Sequence, residues 1–259
     1  MIRPPAAVIF DVDGTLAETE RDGHRVAFNR AFAETGLPWH WGDALYGELL
    51  TVAGGKERIT HFAQRFAADW LRLPDTWQRI AELHARKNAH YAAIAEAGAL
   101  PLRPGLRTLL GALARAQVRL AIATTTSRAN VETLLRTTLG ADALLRFEAI
   151  VCGEDVLHKK PDPEVYRLAL AQLRLPAERC LAVEDSANGL RAALAAGIDT
   201  VIVRSLYTWN DDFSGARRVF DGYAEATPPQ GDDRLLSAAA LRFAEHRADS
   251  ERGDRQPPL

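Results

Sequence analysis

The 259-residue chain is 47% hydrophobic, enough to bury a sizeable core as one large domain or two smaller ones. Its 32 Lys and Arg against 34 Asp and Glu give a net charge of -2, with no basic field for nucleic acid and no polybasic segment for a membrane surface. No apolar run approaches the length of a membrane span and Met1-Ile-Arg-Pro-Pro carries no secretory apolar region, so a cytoplasmic protein is expected.

The first element, Ala7-Val8-Ile9-Phe10, is too short for a helix and too apolar for a half-exposed strand, and reads as a buried parallel strand. Asp11 follows at once, Asp13 two residues later, and Gly14 supplies a turn out of the sheet. Ligands of open parallel sheets bind beyond the carboxyl ends of the strands, so both carboxylates stand where a substrate arrives. From Glu18 to Ala99 the pattern is helical. Phe28, Ala31, Phe32 and Thr35 recur at helical steps up to a stop at Gly36, and Asp43 begins a short helix through Leu50. Gly54-Gly55 interrupts, Lys56 to Trp70 resumes with Ile59, Phe62, Ala63 and Phe66 on one face, and Asp75 after Pro74 caps a long helix to Glu96.

From Pro104 onward helices alternate with short apolar strands. Leu106 to Ala116, Asn130 to Leu139, Pro163 to Leu173 and Ala187 to Ala196 read as helices; V-R-L-A-I-A-T-T, F-E-A-I-V-C, C-L-A-V-E-D and D-T-V-I-V read as strands between and after them. Cys152 and Cys180 fall in these apolar runs without Cys-x-x-Cys spacing and read as small buried hydrophobes. The alternation predicts right-handed crossovers and a parallel three-layer α/β core, residues 1–17 and 100–247, around an all-helical cap at 18–99. Beyond Ser205, R-V-F-D is expected as an edge strand, Leu235 to His246 as a last helix and 248–259 as a polar, disordered tail.

Four strand ends carry polar signatures: D-V-D-G-T from Asp11, T-T-T-S from Thr124, H-K-K-P-D-P from His158 and E-D-S from Glu184. Each alone is weak. A D-x-D-G also opens calcium loops, but Leu16 and Ala17 supply none of the further oxygen ligands such a loop needs. Together, in this order and each at the end of an apolar strand, they resemble the four motifs of the haloacid dehalogenase superfamily, in its phosphatase and phosphomutase branch with a helical cap after the first motif. The resemblance spans residues 6–204 and implies a Rossmann-like core.

Carried over position by position, the resemblance implies Asp11 as the nucleophile that takes the phosphoryl group. Asp13 is then the acid that protonates the leaving oxygen and later activates water. Thr124 and Lys160 would hold the phosphoryl oxygens. Magnesium would be held by Asp11, Asp185 and the backbone carbonyl of Asp13, with Glu184 contributing directly or through water. The residue chemistry agrees. Two like charges about 4 Å apart repel by roughly 4 kcal/mol at an effective dielectric of about 20, so the clustered carboxylates call for a divalent cation and a fixed ammonium. An all-oxygen ligand set favours magnesium over zinc. Lys159 reads as solvated, and Ser127 as a helix cap. Members that displace halide lack the second aspartate, so Asp13 points to an oxygen leaving group.

The segments from Gly14 to Glu20, His24 to Asn29, Ala44 to Leu50, Ala53 to Ile59, Leu102 to Gly105 and Ala123 to Ser127 resemble the CbbY-type sugar-bisphosphate phosphatases. That resemblance implies hydrolysis of xylulose-1,5-bisphosphate, an inhibitory by-product of Rubisco, to xylulose 5-phosphate; the partner expected is this small-molecule substrate, with the chain as a monomer. Gly54-Gly55-Lys56 before a helix offers N–H groups, a positive helix end and an ammonium for a second phosphate. Thr125 belongs to the same substrate-facing segment as Thr124. Glu18 is implied to contact sugar hydroxyls, or else serves as a hinge carboxylate. His24 lines the cleft or lies on a helix surface, and Tyr46 binds substrate or packs with Trp39 and Trp41. Arg58 and Asn130 are further substrate candidates whose default roles are a surface charge and a first-turn residue. The stretch before His24 is one residue longer than the common family spacing. Alternative readings are a phosphomutase of the beta-phosphoglucomutase kind, a broader phosphatase acting on phosphoglycolate and similar metabolites, and a non-catalytic phosphoacceptor.

Overall fold

The structure is a computed structural model that describes residues 5–223. The helix expected over Leu235 to His246, the polar tail and the end of the core segment lie outside these residues. Six parallel strands form one sheet in the order β3-β2-β1-β4-β5-β6, with β1 (Ala7–Phe10), β2 (Arg119–Ala123), β3 (Ala149–Val151), β4 (Cys180–Glu184), β5 (Asp199–Val203) and β6 (Arg218–Phe220). β6, the edge strand foreseen in R-V-F-D, pairs with β5. The two-residue alternation of the strands feeds two separate cores. Val8, Phe10, Leu120, Ile122, Leu181 and Val183 pack on one face against α5 (Leu106–Arg115) and α6 (Arg128–Leu139). Ala7, Ile9, Ala121, Ala123 and Ala182 face α7 (Glu164–Leu173) and α8 (Ala187–Ala195), where small strand residues let the helices lie close.

Between the first strand and α5 every regular element is helical: a π-helical stretch at Glu20–Arg25, α1 (Val26–Glu34), α2 (Asp43–Leu49), α3 (Gly55–Phe66), a 3-10 turn at Trp70–Arg72 and α4 (Thr76–Glu96). Phe28, Phe32, Trp41, Tyr46, Ile59, Phe62, Ile80 and Leu83 close a third, aromatic-rich core within this insert. Two boundaries differ from expectation. The helix begun at Gly55 stops at Phe66 rather than Trp70, because Ala67 leaves helical geometry at φ -149° and the 3-10 turn packs Trp70 on Trp39, ring centres 4.9 Å apart. Asp75 precedes α4 as foreseen, yet in the left-handed region at φ 58° and without a side-chain cap bond. No helix among the described residues is long and apolar enough to cross a membrane.

Candidate active site

β1 lies at the centre of the sheet, and Phe10 pairs in register with Ile122 of β2 and Val183 of β4. The residues that follow these strands therefore emerge side by side. Asp11 donates its N–H to Val183 O, and Thr124 donates its own to Val151 O, which fixes both backbones at the sheet edge. Lys160, which precedes α7, reaches in from below. Its ammonium donates to Asp11 Oδ1 at 2.6 Å, Glu184 Oε1 at 2.6 Å and the Ala123 carbonyl at 2.9 Å, so all three of its protons are used. Burial opposes the charge on Lys160, but Asp11 and Glu184 overcome it and raise its pKa.

Asp11, Glu184 and Asp185 place carboxylate oxygens within 4.8 Å of one another, all buried. Burial, together with repulsion from Glu184 and Asp13, pushes Asp11 up to about 8 against the pull of Lys160. Burial and the charges of Asp11 and Glu184 likewise raise Asp185. Such a set is stable as carboxylates only beside a further cation, and its hard oxygen donors fit magnesium. Asp185 is held by Ser205 at 2.6 Å and packs so tightly on the turn that a Cβ at Gly14 would overlap its carboxylate. Glu184 stands behind: one oxygen accepts from Lys160 and from Tyr166 at 2.5 Å, and the other from the Asp185 N–H.

Asp13 leans the other way, toward the helical insert. Its Oδ1 accepts from Thr19 at 2.6 Å and lies 2.8 Å from His24 Nε2; His24 Nδ1 lies 2.7 Å from the Lys87 ammonium. With Lys87 donating to Nδ1, the imidazole is the Nε2–H tautomer that donates to Asp13. Burial works against a charged Asp13, yet His24 and Thr19 prevail and hold its pKa below the usual carboxylate range. The π-helical stretch Glu20–Arg25, whose turns are wider than those of an α-helix, carries His24 onto Asp13.

Two cavities open from this point, of about 270 Å³ and about 240 Å³, and both are lined by Asp13, Glu20, Arg58 and Thr125. The first contains Asp11, Thr124, Lys160 and Asp185. The second contains Gly54, Gly55, Lys56, His24, His84, Lys87 and Lys159. Burial, with the positive charges of Lys87 and Lys56 beside it, pushes His84 down to about 3, so it stays neutral in a cationic surround.

Several sequence candidates move. Arg58 is buried, not a surface charge: its guanidinium donates to Tyr46 Oη at 3.0 Å and the Val52 carbonyl, and sits 3.8 Å from Glu20. Tyr46 lines neither cavity; it packs against Trp41 and Phe28, not Trp39, and donates to Glu20 at 2.5 Å. Glu18 stays outside both cavities, 3.6 Å from Arg103, because the chain turns its carboxylate toward the linker rather than the cleft. Asn130 is buried between α6 and α4, donating to Asn88 and Thr126. Lys159 is not a solvated lysine; its stem folds under the insert and its ammonium donates to Gly153 O at 2.6 Å. Ser127 precedes α6 but makes no cap bond. Glu20, His84, Lys87 and Tyr166 were not foreseen. Only the helical spacing of His84 and Lys87 with Tyr91 signalled that they share a face.

A family model described as haloacid dehalogenase-like hydrolase matches residues 5–197. The plasmid-encoded protein CbbY of Cupriavidus necator is 48% identical over 246 residues, covering 93% of this chain and 96% of the relative. Protein CbbY of Cereibacter sphaeroides is 47% identical over 219 residues, 85% of this chain and 93% of the relative. The crystal structure of a CbbY variant from Rhodobacter sphaeroides in complex with xylulose-(1,5)bisphosphate superposes with a TM-score of 0.78 at 45% identity, covering 87% of this chain and 96% of the other.

Proposed function

Because this chain belongs to the haloacid dehalogenase-like hydrolase family and is a phosphatase of it, we propose that it is magnesium-dependent and hydrolyses a sugar bisphosphate, xylulose-1,5-bisphosphate, to xylulose 5-phosphate. The observation that carries this reading is the pair of joined cavities, one with the carboxylate set and Lys160, the other ringed by lysines and Arg58. A bisphosphate with its reacting phosphoryl group at Asp11 extends past Asp13 into a second site suited to an anion. The complex of a CbbY relative with xylulose-(1,5)bisphosphate supports the same substrate.

In this mechanism a carboxylate oxygen of Asp11 attacks phosphorus, the bond to the sugar oxygen breaks, and Asp13 delivers the proton that oxygen needs. Thr124 faces the transferring oxygens, and Lys160 reaches them with the proton that it now gives to Asp11 Oδ1, keeping its bonds to Glu184 and the Ala123 carbonyl. Asp13, now a carboxylate, then takes a proton from the water that attacks the aspartyl-phosphate, releasing phosphate and restoring Asp11. Magnesium, held by Asp11, Asp185 and the backbone carbonyl of Asp13, would neutralise charge on the phosphoryl oxygens. Glu184 positions Lys160 and stands beside this set. The bonds of Thr19 and His24 both fall on Oδ1 of Asp13, which leaves Oδ2 to face the leaving oxygen.

The test is magnesium-dependent phosphate release from xylulose-1,5-bisphosphate, ribulose-1,5-bisphosphate, beta-glucose 1,6-bisphosphate and phosphoglycolate. A kcat/KM at least about a hundredfold higher for the first is expected, corresponding to about 3 kcal/mol in transition-state binding. Equal rates across the panel would reject the substrate, and a sugar monophosphate isomer as main product would favour a mutase. Asp11→Asn, nearly constant in volume, should abolish turnover while leaving the unfolding midpoint close to wild type.

A further inference from the structure

Lys159 and Lys160 are consecutive, yet their ammonium groups serve different cavities: Lys160 lines the one with Asp11, Lys159 the one with Lys56 and Lys87. Lys159 is the better placed of the anion-facing lysines. Its side chain is 20% exposed, whereas Lys56 is exposed at the rim. Arg58 is engaged by Tyr46 and Val52, and Lys87 by His24. Lys159 makes one hydrogen bond, to the neutral Gly153 carbonyl, and lies 3.9 Å from Glu57 Oε1 in the first turn of α3. That separation is an ion pair beyond hydrogen-bond range, so ammonium protons remain for an oxygen-rich anion. The contact also joins the sheet domain to the helical insert. A second feature of the same cavity points to a ligand: Ser127 Oγ is buried and without a hydrogen-bond partner among the described residues. Gly54 makes room for the lysine stem, since a Cβ there would come within 3.0 Å of Lys159 Cε.

We propose that Lys159 is a specificity-determining residue that binds the non-reacting phosphate of the substrate, and that Glu57 holds its ammonium until that phosphate displaces the carboxylate. The proposal rests on the bisphosphate reading above. A phosphate dianion displaces Glu57 because it brings more charge and full hydrogen-bond contact. The Lys159-Lys160 dipeptide then spans the substrate, one ammonium per phosphate, and a monophosphate uses only half of it.

The experiment compares kcat/KM for xylulose-1,5-bisphosphate and xylulose 1-phosphate in wild type, Lys159→Gln, Glu57→Gln and the double variant, each with magnesium. The monophosphate rate of each preparation serves as its own reference for folding. In Lys159→Gln the bisphosphate-to-monophosphate ratio is expected to fall at least about tenfold, through KM. Glu57→Gln should lower the bisphosphate KM when Lys159 is present and leave it unmoved in the double variant. A wild type that prefers the bisphosphate, with that preference intact in Lys159→Gln, overturns the role of Lys159 alone. A wild type without preference overturns both this role and the bisphosphate reading.

Discussion

In the proposed mechanism Asp13 is an acid in one half of the reaction and a base in the other, and its surroundings favour the base. Thr19 and His24 hold it as a carboxylate, so the proton it gives the leaving oxygen is held briefly and returns from the attacking water. Asp13→Asn removes both transfers at nearly constant shape. The expected result is slow phosphorylation followed by a trapped aspartyl-phosphate, seen as intact protein heavier by one phosphoryl group; wild-type turnover without that species would reject the role. Lys87, behind His24, makes a pH prediction. It is buried over the Phe28 and Tyr91 rings, 5.1 and 5.4 Å from their centres, and burial pushes it down from 10.5 to about 8. Below pH 8 both folded and unfolded chains carry the proton; between about 8 and 10.5 only the unfolded chain does, so this group makes stability rise with pH there. Lys87→Met lacks that slope. Its stability relative to wild type should therefore fall by up to about 3 kcal/mol from pH 8 to 10.5, measured by urea unfolding. A pH-independent difference would show that Lys87 is not held down by burial.

At the scale of elements, the π-helical stretch Glu20–Arg25 fits one more residue per hydrogen-bonded turn than an α-helix would between two fixed points, His24 on Asp13 and Phe28 in the aromatic core. Residues in an α-helix are about 100° apart, so an unabsorbed insertion would swing one of these groups off its partner. Deleting the half-exposed Asp22 should let the stretch become α-helical and keep kcat/KM within about threefold of wild type. Inserting an alanine after Asp22 exhausts the slack and should cost at least about a hundredfold, since small misplacements at a reacting centre cost that much. Equal effects of both changes would separate the π geometry from catalysis. The altered spacing before His24 was visible in the sequence, but the π geometry was not. The same divide runs through the site. Asp11, Thr124 and Asp185 were legible because each directly follows a short apolar strand, and parallel strands in register deliver their ends to one place; Lys160 lies nine residues beyond β3, not at its end as expected, and was legible only through the motif it resembles. Glu20, Lys87 and the cavity position of Lys159 were not legible, because their roles depend on how helices of the insert are turned against residues 26 to about 100 positions away. Glu18 and Glu20 show the limit: two positions apart on one segment, one faces the Arg103 linker and the other the cavity.

Across the whole molecule, the sheet domain and the insert are joined by two chain crossings that run side by side, where Ala17 bridges Leu102 and Arg103 N–H donates to Leu16 O at 2.9 Å. One buried side chain ties this junction to the site. The Arg103 guanidinium donates to Gly14 O at 2.5 Å, to Val203 O at 3.0 Å and to Arg204 O, while Glu18 lies 3.6 Å away on the linker. Gly14 is the turn that presses on Asp185, and Val203 ends β5, so Arg103 holds the Asp11–Gly14 turn against the sheet. Arg103→Met keeps the apolar stem but strands these carbonyls without a donor, at a cost of about 1–3 kcal/mol for each buried group left unpaired. The variant should lose roughly 3 kcal/mol of stability in urea unfolding and, because the Gly14 turn loosens beside Asp185, need several-fold more magnesium for half-maximal activity. Arg103→Lys, which restores one donor and the charge, should fall between the two. A stability loss with an unchanged magnesium requirement would mean that the junction supports the fold without setting the geometry of the carboxylates; a shift in both would make one arginine the link through which the position of the insert is felt at the phosphoryl site.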